Sequence, residues 1–265
     1  MSSPENEARR RSIVSDWYRH IEDDGYAVLP GVFTADEVET IARELAQALE
    51  GSAEAPLRSQ DGTVYAARNV LQVWPPAREI WRREPLPAIL SAILGPDFGL
   101  VRGLFFDKPP GQTWGLPWHK DLTIAVRDNR LPSSHFCKPT RKAGVPHVEA
   151  PLEVLQGMLT ARLHLDDMTS DNGPLRVIPG SHRLGKTCSD GSTAALPILG
   201  RRGDVLLIRP LVEHCSGRSR EGTTLHRRVL HLEFAASAVL PDGYAWHDFI
   251  PGELGSRLFL CRGSG

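Results

Sequence analysis

Short apolar runs, separated at fairly regular intervals by turn-forming residues, dominate the chain from about residue 100 onward. Glycine, proline, aspartate and asparagine occupy the breaks between them. The runs lie at residues 104–106, 159–165, 175–178, 204–208 and 228–234. Regular short strands with turn signals between them are typical of a β-sandwich or β-barrel. The pattern therefore predicts a mainly β fold.

Helical patterns precede this region. We predict helices over residues 15–22, 35–46 and 87–94. The second has the clearest start, because Thr34 and Glu37 have the spacing of a capping box. Its apolar residues then recur at helical spacing, which predicts that one face is buried. The third begins with a proline, which a helix tolerates in its first turn.

The length of 265 residues is compatible with one domain, because all-β sandwiches and barrels commonly reach about 200–250 residues. No internal repeat or low-complexity linker divides the chain. We expect a single domain over residues 1–265, with its core at about residues 20–240. Residues 127–150 are rich in serine, proline and glycine, and they predict an insertion or lid, since long loops in compact domains are often functional.

Charge and composition exclude some partners. The net charge of −1 gives no reason to expect binding to nucleic acid or to an anionic membrane. No apolar stretch approaches the roughly 18 residues of a membrane span. The polar N-terminus lacks the apolar core of a signal peptide, and the four cysteines are scattered. We therefore expect a cytoplasmic protein with reduced thiols, and the sequence does not indicate its oligomeric state.

A His-Lys-Asp motif at residues 119–121 predicts a metal site. Two residues apart on an extended segment, the side chains of His119 and Asp121 point the same way. With one distant imidazole, for which His214 is the candidate, they would form the 2-His-1-carboxylate arrangement of non-haem Fe(II) oxygenases. Taken alone, the motif is also compatible with an ordinary surface strand, because three residues match by chance.

Further segments accompany this motif. They are residues 24–33, 118–121, 172–175 and 179–182, followed by His214-Cys215-Ser216 and by Arg227. In this order they resemble the phytanoyl-CoA dioxygenase-like family of Fe(II)/2-oxoglutarate-dependent oxygenases, and the resemblance covers roughly residues 20–235. It implies a double-stranded β-helix, a cupin-like jelly roll, with flanking N-terminal α-helices.

The resemblance also implies roles for individual residues. Fe(II) would bind to His119, Asp121 and His214. Arg227 would pair with the far carboxylate of the co-substrate 2-oxoglutarate, and Ser216 would support the same carboxylate. Arg228 is the alternative anchor, because strand alternation lets only one of the two arginines face inward.

The implied activity is an oxygenase reaction. The enzyme would use Fe(II), 2-oxoglutarate and O2 to hydroxylate, desaturate or cyclise an unactivated C–H bond, releasing succinate and CO2. Related halogenases carry a small residue in place of the carboxylate, so Asp121 favours hydroxylation. We expect a small-molecule substrate, a metabolite of natural product biosynthesis. A basic cluster suited to the 3′-phosphate of an acyl-CoA is not evident.

Two alternatives remain open. A catalytically silent jelly-roll module could keep a metal for structure, and a Zn hydrolase could use the same ligand types. Arg162 is a candidate contact for an anionic substrate, whereas His164 and His231 are interpreted as core or surface histidines and His182 as a residue that shapes a loop. An aromatic group belongs either to the pocket wall or to the core: Trp74, Phe105, Phe106, Trp114 and Trp118.

Overall fold

A computed structural model describes residues 16–111 and 114–252. Its helices are α1 (residues 16–23), α2 (Ala35–Glu50), α3 (Val70–Val73), α4 (Leu86–Leu94) and α5 (Leu152–Gln156). Its strands are β1 (Tyr26–Leu29), β2 (Pro56–Arg58), β3 (Val64–Ala67), β4 (Gly99–Phe106), β5 (Leu116–His119), β6 (Thr123–Ala125), β7 (Cys137–Lys142), β8 (Val145–Glu149), β9 (Met158–His164), β10 (Leu175–Val177), β11 (Leu196–Pro197), β12 (Val205–Ile208), β13 (His214–Ser216), β14 (Val229–Ala235) and β15 (Ile250–Pro251). The three predicted helices are present, although Ser15 lies outside the described residues.

The strands form an antiparallel jelly roll. The large sheet has the order β1-β12-β9-β14-β4-β3-β2, with β15 beside β4, and a smaller sheet has the order β11-β10-β13-β5. From β9 onward the chain passes back and forth between them: β9, β12, β14 and β15 lie in the large sheet, and β10, β11 and β13 in the small one. The expectation of a mainly β, cupin-like jelly roll with N-terminal helices is confirmed.

The two faces of the large sheet have different roles. In β14, Leu230, Leu232 and Phe234 pack into the main hydrophobic core together with residues of α2 and α4. The alternate residues His231 and Glu233 line a cavity on the opposite face. Strand side chains alternate between faces, so one sequence supplies both surfaces. The core therefore lies outside the barrel-like pair of sheets, and the cavity lies between them.

Helix α2 covers this outer core. Thr34 caps it: the backbone N–H of Glu37 donates to the Thr34 hydroxyl over 3.3 Å, and the backbone N–H of Thr34 donates to the Glu37 carboxylate over 2.8 Å. The predicted apolar face is buried through Val38, Ile41, Ala42, Leu45 and Leu49. The capping box therefore starts the helix at the point where its apolar face meets the sheet.

Residues 127–150 are more regular than a loop. They contain β7 and β8, which form a third sheet with β6 in the order β6-β8-β7. β8 is buried along its whole length, whereas β7 is mostly exposed. The serine- and proline-rich composition concealed this hairpin, and its role as an insertion or lid stays a prediction. Among the described helices, none has the length and apolarity that crossing a bilayer requires.

Candidate active site

The two sheets enclose a cavity of about 300 Å³. Strands β4, β9 and β14 supply one wall and β5, β10 and β13 the other. The site residues predicted from the sequence all line it: His119, Asp121, Arg162, His214, Ser216 and Arg227. Of the aromatic residues, Phe106 and Trp114 belong to its wall, Trp74 and Phe105 to the core, and Trp118 is 40% exposed.

His119, Asp121 and His214 converge in this cavity. His119 and His214 are cross-strand partners of β5 and β13, and their ring centroids lie 4.3 Å apart. Asp121 follows two residues after His119, and its oxygens lie 3.8 Å from His119 Nε2 and 3.7 Å from His214 Nε2. One potential ligand atom from each residue falls within 4.8 Å of the others. The three groups can therefore reach a common metal ion.

Each histidine is oriented by a backbone carbonyl. The Nδ1 of His119 lies 2.8 Å from the carbonyl oxygen of Pro117, and the Nδ1 of His214 lies 2.9 Å from that of Val212. A carbonyl oxygen only accepts hydrogen bonds, so Nδ1 must carry the proton in both rings. The lone pair is then on Nε2, which faces Asp121. Such an outer contact fixes the tautomer of metal-ligating histidines.

The charges of the three groups also suit a cation. Burial lowers the pKa of His214 to about 4, so its ring is neutral at neutral pH. The pKa of Asp121 lies below its ordinary value, because the charge interactions of its carboxylate with His214 and His231 outweigh the desolvation that acts to raise it. The carboxylate of Asp121 and the neutral imidazole of His214 therefore face the same point. These ligand types suit a divalent metal ion.

The two adjacent arginines point to opposite sides. Arg227 is 2% exposed and lines the cavity, and its Nε has no hydrogen-bond partner among the described residues. Arg228 turns away and binds Asp166 bidentately, through Nε at 3.0 Å and Nη2 at 2.7 Å. Only Arg227 is thus available to a molecule in the cavity. Asp166 has the structural role that its position near a turn suggests.

Lys108 is a site residue that sequence analysis missed. It is fully buried, and its Nζ donates to the hydroxyl of Ser216 over 3.1 Å and to the carbonyl oxygen of Gly173 over 3.2 Å. Burial and the charge of Arg227 lower its pKa to about 7. Lys108 and Arg227 also exchange backbone hydrogen bonds of 3.2 Å. Its Nζ also donates to the carbonyl oxygen of Gly217, so Lys108 lies behind Ser216 and next to Arg227, at what we call the inner end of the cavity, without lining the cavity itself.

The opposite end carries a second polar group. His231 and Glu233 of β14 and Arg102 of β4 line it, with Arg102 and Glu233 paired at 3.3 Å. His231 thus lies in the cavity wall instead of the core or outer surface, whereas His164 is buried outside it. The sequence contains a pattern that indicates this wall. Polar residues occupy every second position of two otherwise apolar strands, namely Thr160 and Arg162 in β9 and His231 and Glu233 in β14.

The other histidines have structural contacts. The Nε2 of His182 lies 3.2 Å from the carbonyl oxygen of Glu22, which joins its turn to the end of α1. The Nδ1 of His135 lies 2.9 Å from the carboxylate of Asp242, outside the cavity. His147 is buried in β8, and burial lowers its pKa to about 4. None of the three reaches the cavity wall described here.

Comparison with known proteins agrees with this geometry. Residues 21–228 match the model of the phytanoyl-CoA dioxygenase (PhyH) family. The ectoine dioxygenase of Stutzerimonas stutzeri (strain A1501) is 26% identical over 181 residues, which cover 64% of this chain and 51% of that protein. The match thus spans about half the length of this curated relative.

Solved structures share the fold. The alpha-ketoglutarate-dependent epimerase SnoN from nogalamycin biosynthesis superimposes with a TM-score of 0.64 and 19% identity, covering 88% of this chain and 87% of that one. EctD from S. alaskensis with 2-oxoglutarate and 5-hydroxyectoine gives 0.64 and 19%, covering 84% and 76%. The carbocyclase SnoK gives 0.61 and 17%, covering 84% and 83%. With the family match across most of its length, this chain belongs to the phytanoyl-CoA dioxygenase family.

Proposed function

We propose that this protein is an Fe(II)- and 2-oxoglutarate-dependent oxygenase that oxidises a C–H bond of a small metabolite. The observation that carries the proposal is the convergence of His119, Asp121 and His214 within 4.8 Å in a cavity that is also lined by the buried Arg227. The family supports the same activity. The structures of relatives with bound iron and 2-oxoglutarate support the same cofactors.

The donor set fits iron. Two imidazoles with Nε2 free and one carboxylate are ligand types that suit ferrous iron, and they occupy one face of an octahedral ion. His119, Asp121 and His214 would hold it. With 2-oxoglutarate and O2, the bound iron supplies an oxidant for an unactivated C–H bond, and succinate and CO2 are released. The protein contributes ligands, orientation and a partly enclosed pocket.

The inner end fits the far carboxylate of 2-oxoglutarate. The guanidinium of Arg227 can bind a carboxylate through two parallel hydrogen bonds, and its buried Nε has no partner among the described residues. Ser216 offers a hydroxyl, and Lys108 adds a second positive charge behind it. A buried cation without an anion is costly, so a carboxylate here would give Arg227 its missing partner, with the charge of Lys108 adding long-range attraction.

The cavity walls restrict access by water. Phe106, Trp114 and Leu116 line the space between the predicted iron ligands and Arg227. Trp114 also lies against the cations, with its ring centroid 4.8 Å from Lys108 Nζ and 5.7 Å from the guanidinium carbon of Arg227. Apolar walls strengthen the electrostatic interactions that hold the co-substrate. They also protect the reaction from competing water.

The carboxylate of Asp121 favours oxygen insertion, whereas desaturation and ring closure remain products of the same chemistry. Hydrolysis at a zinc ion on this scaffold would not require the buried cations Arg227 and Lys108. A catalytically silent module would not require three ligands that leave the other coordination positions of a metal open. The proposed reaction uses all of these features.

The test is spectroscopic and chemical. Addition of Fe(II) and 2-oxoglutarate without O2 should produce a weak visible charge-transfer band. A screen of metabolite classes in air should then show succinate release, and mass spectrometry should show the gain of one oxygen atom. Absence of the band and of succinate release would favour a silent module, and Zn-dependent hydrolysis without either would favour the hydrolase.

A further inference from the structure

The cavity continues past the predicted iron ligands to a second set of basic side chains. Arg68, Arg102 and Lys142 line it together with Glu233. Glu233 lies six residues beyond Arg227 along an extended segment, a distance of about 20 Å. Arg102 is its partner in the neighbouring strand. This outer basic group, Arg68, Arg102 and Lys142, therefore lies at the opposite end from Arg227.

Three separate segments supply the group. Arg68 follows the end of β3, Arg102 lies within β4, and Lys142 ends β7 in the hairpin of residues 127–150. The Nδ2 of Asn69 donates to the carbonyl oxygen of Ala143 over 3.1 Å, which ties the turn after Lys142 to the segment after Arg68. The hairpin thus brings a charged side chain to the cavity.

The positive charge at this end exceeds the negative charge. Glu233 is already paired with Arg102 at 3.3 Å and lies 3.3 Å from His231 Nε2. Arg68 and Lys142 have no carboxylate within 4.0 Å among the described residues; Lys142 donates instead to the hydroxyl of Thr123 over 3.0 Å. Partial burial and the proximity of Arg102 lower the pKa of both side chains, and for Lys142 this outweighs the opposing effect of the carboxylates of Asp121 and Glu233.

Such an arrangement is unfavourable unless an anion is bound. Partly buried like charges repel each other, and each has lost part of its hydration. An oxyanion would accept hydrogen bonds from Arg68 and Lys142 and would leave the Arg102–Glu233 pair intact. The lining of the cavity also includes apolar side chains, among them Leu104, Ile124 and Met158.

We propose that the outer basic group binds an anionic substituent, a carboxylate or a phosphate, of the substrate. This assignment rests on the proposed function, because it takes the molecule bound here to be the one oxidised. With 2-oxoglutarate held at Arg227, the substrate anion and the co-substrate carboxylate occupy opposite ends of one cavity. The predicted iron ligands lie between them.

Calorimetric titration tests the assignment. The protein is loaded with Mn(II) and 2-oxoglutarate, so that the Arg227 end is filled and no turnover occurs. It is then titrated with phenylacetate, phenyl phosphate and the neutral analogue phenylacetamide. We expect one of the two anions to bind at least about tenfold more tightly than the amide, since hydrogen bonds to charged groups carry this difference. The preferred anion distinguishes a carboxylate substrate from a phosphate.

Variants locate the site. Arg68→Gln and Lys142→Gln should each weaken binding of the preferred anion about 10- to 100-fold and leave the amide unchanged. The control Arg43→Gln removes a cation from the exposed face of α2 and should have no effect. Circular dichroism verifies the fold of each variant. Equal binding of anions and amide, or wild-type binding by both cavity variants, would overturn the proposal.

The same titration separates this proposal from the proposed function. If 2-oxoglutarate fails to bind to the Mn(II)-loaded protein, the oxygenase proposal fails. The metal-free protein still reports on the outer basic group, because loss of anion binding in Arg68→Gln but not in Arg227→Ala places the anion there. If 2-oxoglutarate binds normally and the anions do not, only the inference on the substrate is wrong.

Discussion

At the scale of single residues, the site depends on three side chains that each keep one ligand atom free. In both histidines, Nδ1 donates a hydrogen bond to a backbone carbonyl oxygen, at 2.8 and 2.9 Å. The Nε2 atom of each ring therefore remains free to bind a metal. Asp121 has no backbone donor to its carboxylate among the described residues, and its side chain is 45% exposed. The carboxylate can therefore bind a metal without giving up another contact.

Replacement of Asp121 by alanine should abolish oxidation. The variant keeps both imidazoles but loses the carboxylate that lies within 4 Å of both rings, so iron affinity and succinate release should both fall, the latter below detection. Iron content and succinate formation measure the two effects. Asp128→Ala, which removes a carboxylate paired with Arg130 outside the cavity, is the matched control. Full turnover by Asp121→Ala would contradict the ligand assignment.

The adjacent arginines give a paired test of the co-substrate site. Arg227→Ala should raise the KM for 2-oxoglutarate by about 100-fold or more, because loss of one partner of a buried ion pair costs about 3–5 kcal/mol. Arg228→Ala should leave this KM unchanged and lower the free energy of unfolding by about 1–2 kcal/mol, since Asp166 loses its bidentate partner. Steady-state kinetics measure the KM, and urea unfolding measures the stability. A raised KM in Arg228→Ala with an unchanged KM in Arg227→Ala would identify Arg228 as the anchor.

Lys108 should make 2-oxoglutarate binding depend on pH. With a pKa of about 7, its amine is protonated below that pH and neutral above it. A dianion binds better to the protonated form, so affinity should fall as pH rises through about 7, by up to about tenfold per pH unit. The groups that face it are Arg227, Arg162 and Cys215. Both arginines stay charged, and burial raises the pKa of the Cys215 thiol.

Lys108→Met isolates this effect. The variant should bind 2-oxoglutarate more weakly at about pH 6 and should lose the pH dependence above about pH 7. Equilibrium binding of 2-oxoglutarate to the Mn(II)-loaded protein measures both quantities. A flat profile for the wild type, or an unchanged slope in Lys108→Met, would show that Lys108 does not sense the co-substrate.

At the scale of elements, side chains alternate along each strand, so that one face contributes to the hydrophobic core and the other lines the cavity. β14 gives leucine and phenylalanine to the core and His231 and Glu233 to the cavity. β13 turns His214 and Ser216 inward, whereas Cys215 between them is half-buried and lies outside the cavity wall. A shift of one residue in strand register would exchange the two sets. Register is therefore the property of these strands on which the site depends.

Helix α2 offers a test of an element remote from the site. Thr34→Ala removes the side-chain oxygen that accepts from the Glu37 N–H and should lower the free energy of unfolding by about 1 kcal/mol. Glu44→Ala, on the exposed face of the same helix, is the control and should change stability by less than about 0.5 kcal/mol. Urea unfolding provides the comparison, and the KM for 2-oxoglutarate should be the same in both variants. Equal stabilities would show that the capping box contributes nothing.

At the scale of the whole molecule, the main core lies on the outer face of the large sheet and the site on the inner face. The fold therefore does not need a metal to bury its apolar residues. This distinguishes an enzyme with a bound cofactor from a module in which a metal holds the chain together.

Removal of metal should lower stability without unfolding the protein. Saturation with Mn(II) and 2-oxoglutarate at about 100 times Kd should add about 2.7 kcal/mol, which corresponds to a rise in Tm of roughly 5–10 °C for a domain of this size. EDTA should reverse the shift and leave the far-ultraviolet circular dichroism spectrum unchanged. Asp121→Ala should show no shift. Loss of the spectrum in EDTA would instead support a structural metal.

The sequence alone was sufficient for the features that depend on local spacing. The capping box, the buried face of α2 and the strand-turn rhythm after about residue 100 are each properties of neighbouring residues, and all appear in the structure. The pairing of His119 with Asp121 follows from the two-residue repeat of an extended segment, which continues past the end of β5 at His119. The approach of His214 was implied by resemblance, because nothing local connects residues so far apart in the chain.

Only the tertiary structure determined which side chains of different strands face each other across the cavity. Lys108 meets Ser216 and Arg227 because separate strands bring them together, and no spacing in the sequence indicates it. The same holds for Arg68 and Lys142, which are remote in sequence and share one cavity. The hairpin within residues 127–150 was hidden by its turn-rich composition. Local chemistry specifies which residues form each strand, whereas strand partners and register specify which charges face each other, and these are fixed only when the sheets pack.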